Sequence, residues 1–151
     1  MNTSPSTTAA TPATLDLQVT RRFTQPAGRV FDAWLTPASA ARWLFATPGG
    51  SMVRAEIDAR VGGKFVFTDR RDGADVEHAG EYLEIAPPRR LLFTFAVPRF
   101  SSSVSRIGVD IAPLDGGCEL TLTHYAHPAE FVERSRAGWG KLLDALAASL
   151  A

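Results

Sequence analysis

Leu15, Leu17, Val19 and Phe23 alternate with Asp16, Gln18, Thr20 and Thr24, the period of two shown by a strand with one face buried. The period then changes. Ala27, Val30, Phe31, Trp34 and Leu35 recur at i, i+3, i+4, i+7 and i+8, which predicts an amphipathic helix. Thr36 followed by Pro37 reads as the cap and first turn of a second short helix running through Trp43, because proline there gives up only an amide that has no intrahelical partner. Six further strands are predicted over Ser51–Asp58, Lys64–Thr68, Glu77–Ile85, Leu91–Val97, Val104–Ile111 and Cys118–His124. The intervening Gly62–Gly63, Asp72–Gly73, Pro87–Pro88 and Asp115–Gly116–Gly117 are turn signals, with gaps short enough to make the strands antiparallel neighbours. After Pro128 the chain from Ala129 to Leu150 has no further proline, which predicts a helix of about 33 Å. Val132, Trp139, Leu142, Leu143, Leu146 and Leu150 form its apolar stripe, and Glu133, Arg134, Arg136, Lys141 and Asp144 lie mostly off it. Only a sheet is large enough to receive that stripe.

The predicted architecture is therefore α+β: a curved seven-stranded antiparallel sheet wrapped around a long C-terminal helix, with two short helices after strand one. A sheet of that width curls, and one helix in its concave face does not fill the volume evenly from end to end. A hollow is expected, lined by Trp34, Trp43, Phe65, Phe67, Tyr82, Phe93, Phe95, Trp139 and Leu143. The alternative is that these rings interdigitate as ordinary core. Residues 2–14 consist only of Asn, Thr, Ser, Pro and Ala, with no apolar run to serve as a signal-peptide core. Residues 1–14 read as a disordered tail and 15–151 as one domain.

Composition narrows the function classes. The 151 residues are 45% hydrophobic, and 16 basic side chains balance 16 acidic ones, so nothing in the net charge attracts a phosphate backbone. No apolar run approaches the ~20 residues of a membrane-spanning helix. The single cysteine, Cys118, cannot form an internal disulfide, and a cytoplasmic setting is the default.

Three strings carry a resemblance. AEIDARVGGKFVF (Ala55–Phe67), AGEYLEIAPPRRLLFTF (Ala79–Phe95) and GWGKLLDALAASL (Gly138–Leu150) occur in an order and spacing that closely resemble the START-like (Bet v 1-like, SRPBCC) superfamily of helix-grip proteins. Within it the chain is most similar to homologues of the activator of the 90-kDa heat-shock protein ATPase. The resemblance spans Leu15 to Ala151 and implies a sheet gripping the C-terminal helix around a hydrophobic cavity, in members that bind lipids, polyketides or other apolar molecules. The segment RWLFATPGG, Arg42–Gly50, departs from the tryptophan-tryptophan-glycine-proline pattern common in that subfamily. Only one such domain is present, so a chaperone partner follows by family analogy alone.

Among titratable groups, His124 ends an apolar row formed with Cys118, Leu120 and Leu122. It could hydrogen-bond a ligand, with Tyr82 as the simplest polar partner, or be satisfied by backbone at the junction with the last helix. His124, His127 and Glu130 look like a metal set, but an i, i+3 pair converges on a helix, and Pro128 places His127 before the helix starts. Glu56 and Asp58 near Arg60 read as a solvated, ion-paired face. The glycine pairs lack a phosphate-binding fingerprint. Gly138 costs about 1 kcal/mol inside a helix and needs a reason. Cys118 reads as a small buried hydrophobe. The leading expectation is a protein binding a small aromatic or acyl molecule, with no cofactor and no metal. The alternatives are an enzyme of the cyclase or aromatase type using His124 or Tyr82, and a chaperone-associated interaction module.

Overall fold

The computed structural model describes residues 13–151. Ten elements other than a single 3-10 turn follow in chain order: β1 (Thr14–Phe23), α1 (Ala27–Leu35), α2 (Pro37–Ala40), β2 (Ser51–Ile57), β3 (Lys64–Arg71), β4 (Ala74–Ala86), β5 (Arg90–Phe95), β6 (Ser105–Leu114), β7 (Gly117–Pro128) and α3 (Val132–Leu150). The strands form one antiparallel sheet in the order β1-β7-β6-β5-β4-β3-β2. A meander thus runs from β2 to β7, and β1 closes on its last strand. This is the expected helix-grip α+β fold, with α3 as the gripped helix. Most of the expected N-terminal tail lies outside the described residues. Of the two tail residues that are described, Thr14 already pairs with Pro128, and the Ala13 carbonyl accepts the Ala129 amide at 3.1 Å.

Several strands run further than hydrophobic alternation shows. Asp69, Arg70 and Arg71 lie beyond the expected strand end at Thr68, yet they extend β3, and the hairpin with β4 closes at the expected Asp72–Gly73 turn, whose φ values of +50° and +77° suit strand twist. Backbone pairing continues out to Arg71↔Ala74. At the other end, α2 stops at Ala40 and the chain continues in turns to Phe45, shorter than the helix through Trp43 that Thr36–Pro37 suggests. Trp43 is nonetheless buried, edge-on to Trp34 with centroids 4.7 Å apart, and its indole N–H donates to the Ala33 carbonyl at 3.2 Å.

The largest departure is in β7, which continues past His124 to Pro128 and delays α3 until Val132 behind the 3-10 turn Ala129–Phe131. Leu17 pairs with His124 but Leu15 pairs with His127, so β7 carries one more residue than β1 across this stretch. This is a β-bulge. Ala126 occupies it in the left-handed region at φ +50°, and its amide donates to the Asp16 carboxylate at 3.0 Å. Residues three apart on a regular strand face opposite ways. The extra residue turns both His124 and His127 inward.

Candidate functional site

α3 lies in the concave face of the sheet with Val132, Trp139, Leu143, Leu146 and Leu150 buried, as its stripe predicts. The hollow expected between Trp139 and the strands at Phe67 and Phe93 is filled. Trp34, Phe65, Tyr82 and Phe93 close, with Leu44 and Leu91, around a gap of only about 10 Å³. Phe65 and Phe93 meet edge to face with centroids 5.5 Å apart, a favoured aromatic contact. Trp43, Phe67 and Leu143 are fully packed. Of the ten expected site residues, the nine of the lining and His124, seven therefore belong to close-packed core.

The other three, Phe95, His124 and Trp139, stand on the wall of a pocket of about 300 Å³ displaced toward the start of α3. That volume is at the lower end of small-molecule sites. Its remaining wall comes from the Phe45–Thr47 turn, Arg71 of β3, His78 of β4, and Ser135, Gly138 and Leu142 of α3. Phe45, His78 and Phe95 are nearly parallel: Phe45 lies 4.6 Å from His78 and 4.9 Å from Phe95 by ring centroids, at interplanar angles of 11° and 2°. Phe45 holds this position at φ +60°, a conformation that a bulky L-residue adopts only when its surroundings enforce it. Trp139 meets Phe95 edge-on at 5.9 Å.

Beneath the turn, Asp69 is wholly buried. One of its carboxylate oxygens accepts the Thr47 hydroxyl at 2.7 Å and the Arg71 Nε–H at 2.8 Å, and the other has no protein partner. A Cβ added to Gly50 would sit 2.9 Å from either oxygen, so the chain can close over the carboxylate only with glycine there. Arg71 turns its outer nitrogen toward the pocket, where Nη2 donates to His78 Nε2 at 3.3 Å.

All three histidines of the chain meet this region, and their partners fix their protons. The Phe67 carbonyl, 3.4 Å from His78 Nδ1, can only accept, so that nitrogen carries the proton and Nε2 is free to accept from Arg71. Trp139 Nε1–H donates to His124 Nδ1 at 3.1 Å, which leaves the His124 proton on Nε2. His127 Nδ1 faces the Pro128 carbonyl at 2.8 Å. It must donate, and Nε2 then accepts the Ser135 hydroxyl at 2.6 Å. The His124 and His127 rings meet edge to face at 4.5 Å, brought together by the bulge although neither lies on a helix. Among the described residues, no cluster of three His, Cys, Asp or Glu side chains could hold a metal ion. Tyr82 is not on this wall; burial pushes its phenol above the ordinary range.

Burial, with a smaller contribution from His127, lowers the His124 pKa from 6.5 to about 4, and burial with the Arg71 charge lowers that of His78. Between 6.5 and 4 the unfolded chain therefore binds more protons at His124 than the folded one. The stabilisation is complete above 6.5, falls as the pH drops through that window, and levels off below about 4. Solvent reaches the pocket, so the loss attributable to His124 is roughly 2 kcal/mol, below the full linkage value. Urea midpoints measured across the window, with His124→Leu beside the native chain, isolate it: the variant is expected to show the shallower decline. Equal slopes would exclude a buried neutral imidazole.

Alternation and helical spacing already held part of the missing signal. Ser135 interrupts the stripe Val132, Trp139, Leu142, Leu146 as its one polar member, and His78 sits on the face of β4 that carries Tyr82. Nothing in the periodicity marks Phe45, which owes its place to a turn.

Comparison with known proteins gives the same architecture. A protein of Chromobacterium violaceum, CV1439, superposes with a TM-score of 0.79 at 28% identity over 88% of this chain and 94% of its own. An AHSA1-like protein from Aeromonas hydrophila does so at 0.79, with 22% identity over 90% and 92%, and NE0264 from Nitrosomonas europaea at 0.76, with 22% identity over 90% and 94%. No curated protein matches the sequence. No described helix is long and apolar enough to cross a membrane. The model of the family described as activator of Hsp90 ATPase homolog 1-like protein, AHSA1, matches residues 24–151, and the chain belongs to that family.

Proposed function

We propose that the pocket between the Phe45–Thr47 turn, the ends of β3–β5 and the first half of α3 binds a small, largely apolar molecule, aromatic or acyl in character, in a cytoplasmic protein. The observation that carries this reading is the wall itself: Phe45, Phe95 and Trp139, packed ring on ring, border a space of about 300 Å³. The imidazoles among them are tied to partners within the chain and biased to the neutral form. Aromatic walls with a few oriented polar groups suit a flat or flexible apolar guest. Burying about 200 Å² of such a guest gains ~5 kcal/mol before association costs, so affinity is expected to be modest.

Gly138 provides the test. It lies on the pocket wall, and a Cβ built there meets no atom within 4 Å, so the glycine serves no close packing of strand on helix. Gly138→Ala is expected to stabilise the fold by about 1 kcal/mol through helix propensity. Gly138→Phe is expected to fill the pocket from the same open direction without unfolding the chain. A thermal-shift screen with naphthols and medium-chain acyl esters should raise the midpoint of the native chain, by ~2.7 kcal/mol at a hundred times the dissociation constant. The Gly138→Phe chain should show no such shift. A shift retained in full by Gly138→Phe would place binding elsewhere, and no shift with any compound would remove the proposal.

A further inference from the structure

Ser135 and His127 form an arrangement that the binding reading does not use. The Ser135 hydroxyl, half-buried on the pocket wall, donates to His127 Nε2 at 2.6 Å. The imidazole is held in the accepting tautomer by the Pro128 carbonyl at 2.8 Å. A hydroxyl on a basic nitrogen whose ring is oriented by a third group is the geometric signature of an activated oxygen nucleophile. Two further features belong to the same wall. His124 Nε2 carries a proton and, among the described residues, hydrogen-bonds to no other side chain or backbone group, because its ring is fixed through Nδ1 by Trp139. The ring-lined space beside Ser135 offers an acyl or aryl group a seat, and here the inference relies on the pocket proposed above.

We propose that this pocket is an acyl-transfer site for small esters of apolar acids, with Ser135 as nucleophile and His127 as general base. Ser135 Oγ attacks the ester carbonyl carbon as its proton passes to His127 Nε2, and the His124 Nε2–H donates to the carbonyl oxygen as charge develops there. The ester C–O bond breaks, and the leaving alkoxide or phenoxide takes the proton from His127. Water then gives a proton to His127 and attacks the acyl-serine, which releases a carboxylic acid and restores the Ser135 hydroxyl with the proton returned from His127. No redox change and no co-reactant other than water is needed. The bulge at Ala126 is what supplies the base, since on a regular strand His127 would face away from Ser135.

The probe is 4-nitrophenyl acetate with the full chain, read as nitrophenolate release, as intact mass and by peptide mapping. The expected result is release that Ser135→Ala lowers by about 10²-fold or more, the range of positioned general-base catalysis, with His127→Gln similarly impaired. Any acetyl group captured should map to Ser135. Alanine suits a helix, so Ser135→Ala is expected to fold, as circular dichroism will verify. Ser135→Cys, with a thiol in the same place, should retain acylation. Release from Ser135→Ala within tenfold of the native rate, or acetyl groups found on Lys64, Lys141 or Cys118 with Ser135 unmodified, would overturn the proposal. Acetylation reports on the dyad and thermal shift on the guest, so the two proposals fail separately: a Ser135 that acylates in a chain that retains no apolar compound would sink only the first.

Discussion

Trp139→Ala is expected to destabilise the protein by about 3–5 kcal/mol, the range for deleting a buried large aromatic and leaving a cavity. Trp139 is 5% exposed and is the one ring of α3 that reaches across to Phe45 and Phe95. Its removal also leaves His124 Nδ1 without its donor, so the His124 proton is no longer held on Nε2. Trp139→Phe separates the two contributions. It keeps most of the apolar contact and loses only the N–H, so a cost of about 1–2 kcal/mol is expected, the value of one buried hydrogen bond plus imperfect packing. Equilibrium urea unfolding of both variants checks this. If Trp139→Ala cost less than about 1 kcal/mol, α3 would not be anchored to the sheet through this ring.

Arg71→Met is the second large effect, with an expected loss of about 3–5 kcal/mol. The Asp69 side chain is 1% exposed while that of Arg71 is 29% exposed, so removing the guanidinium strands a buried carboxylate that keeps only the Thr47 hydroxyl. The cost of a broken buried pair lies in the partner left behind. Asp69→Asn tests that cause directly, because it retains an oxygen for Thr47 and removes the charge; its cost is expected to be smaller than that of Arg71→Met. The reverse order in the urea midpoints would mean that the carboxylate is not the group under strain.

The fold was legible because its dominant signals are periodic. The two-residue alternation from Leu15 and the stripe from Val132 to Leu150 each commit a face to burial, and seven strands with one long helix leave few arrangements. The site was less legible, since its members owe their positions to breaks in those periods. Phe45 is delivered by a turn in left-handed conformation, Arg71 by a strand that persists through a polar stretch, and His127 by an inserted residue. The ring stripes of β3 and β5, read as lining, describe the packed end of the cup. Phe65 and Phe93 satisfy each other there, whereas Phe95, one step further along β5, reaches the open end. Periodicity identifies the face a residue occupies. It does not say where along that face the side chains stop meeting.

The electronic character of this pocket rests on a count being odd or even. With Ala126 present, imidazole 127 and hydroxyl 135 confront each other. Subtract that single residue and strand alternation would rotate the ring to the outer surface, while composition, hydropathy and every aromatic wall stayed as they are. Two chains of this architecture that differ by one position between Tyr125 and Pro128 would thus share a shape yet differ in whether an imidazole nitrogen meets the helix hydroxyl, and on the acyl-transfer proposal the length of that short stretch decides reactivity.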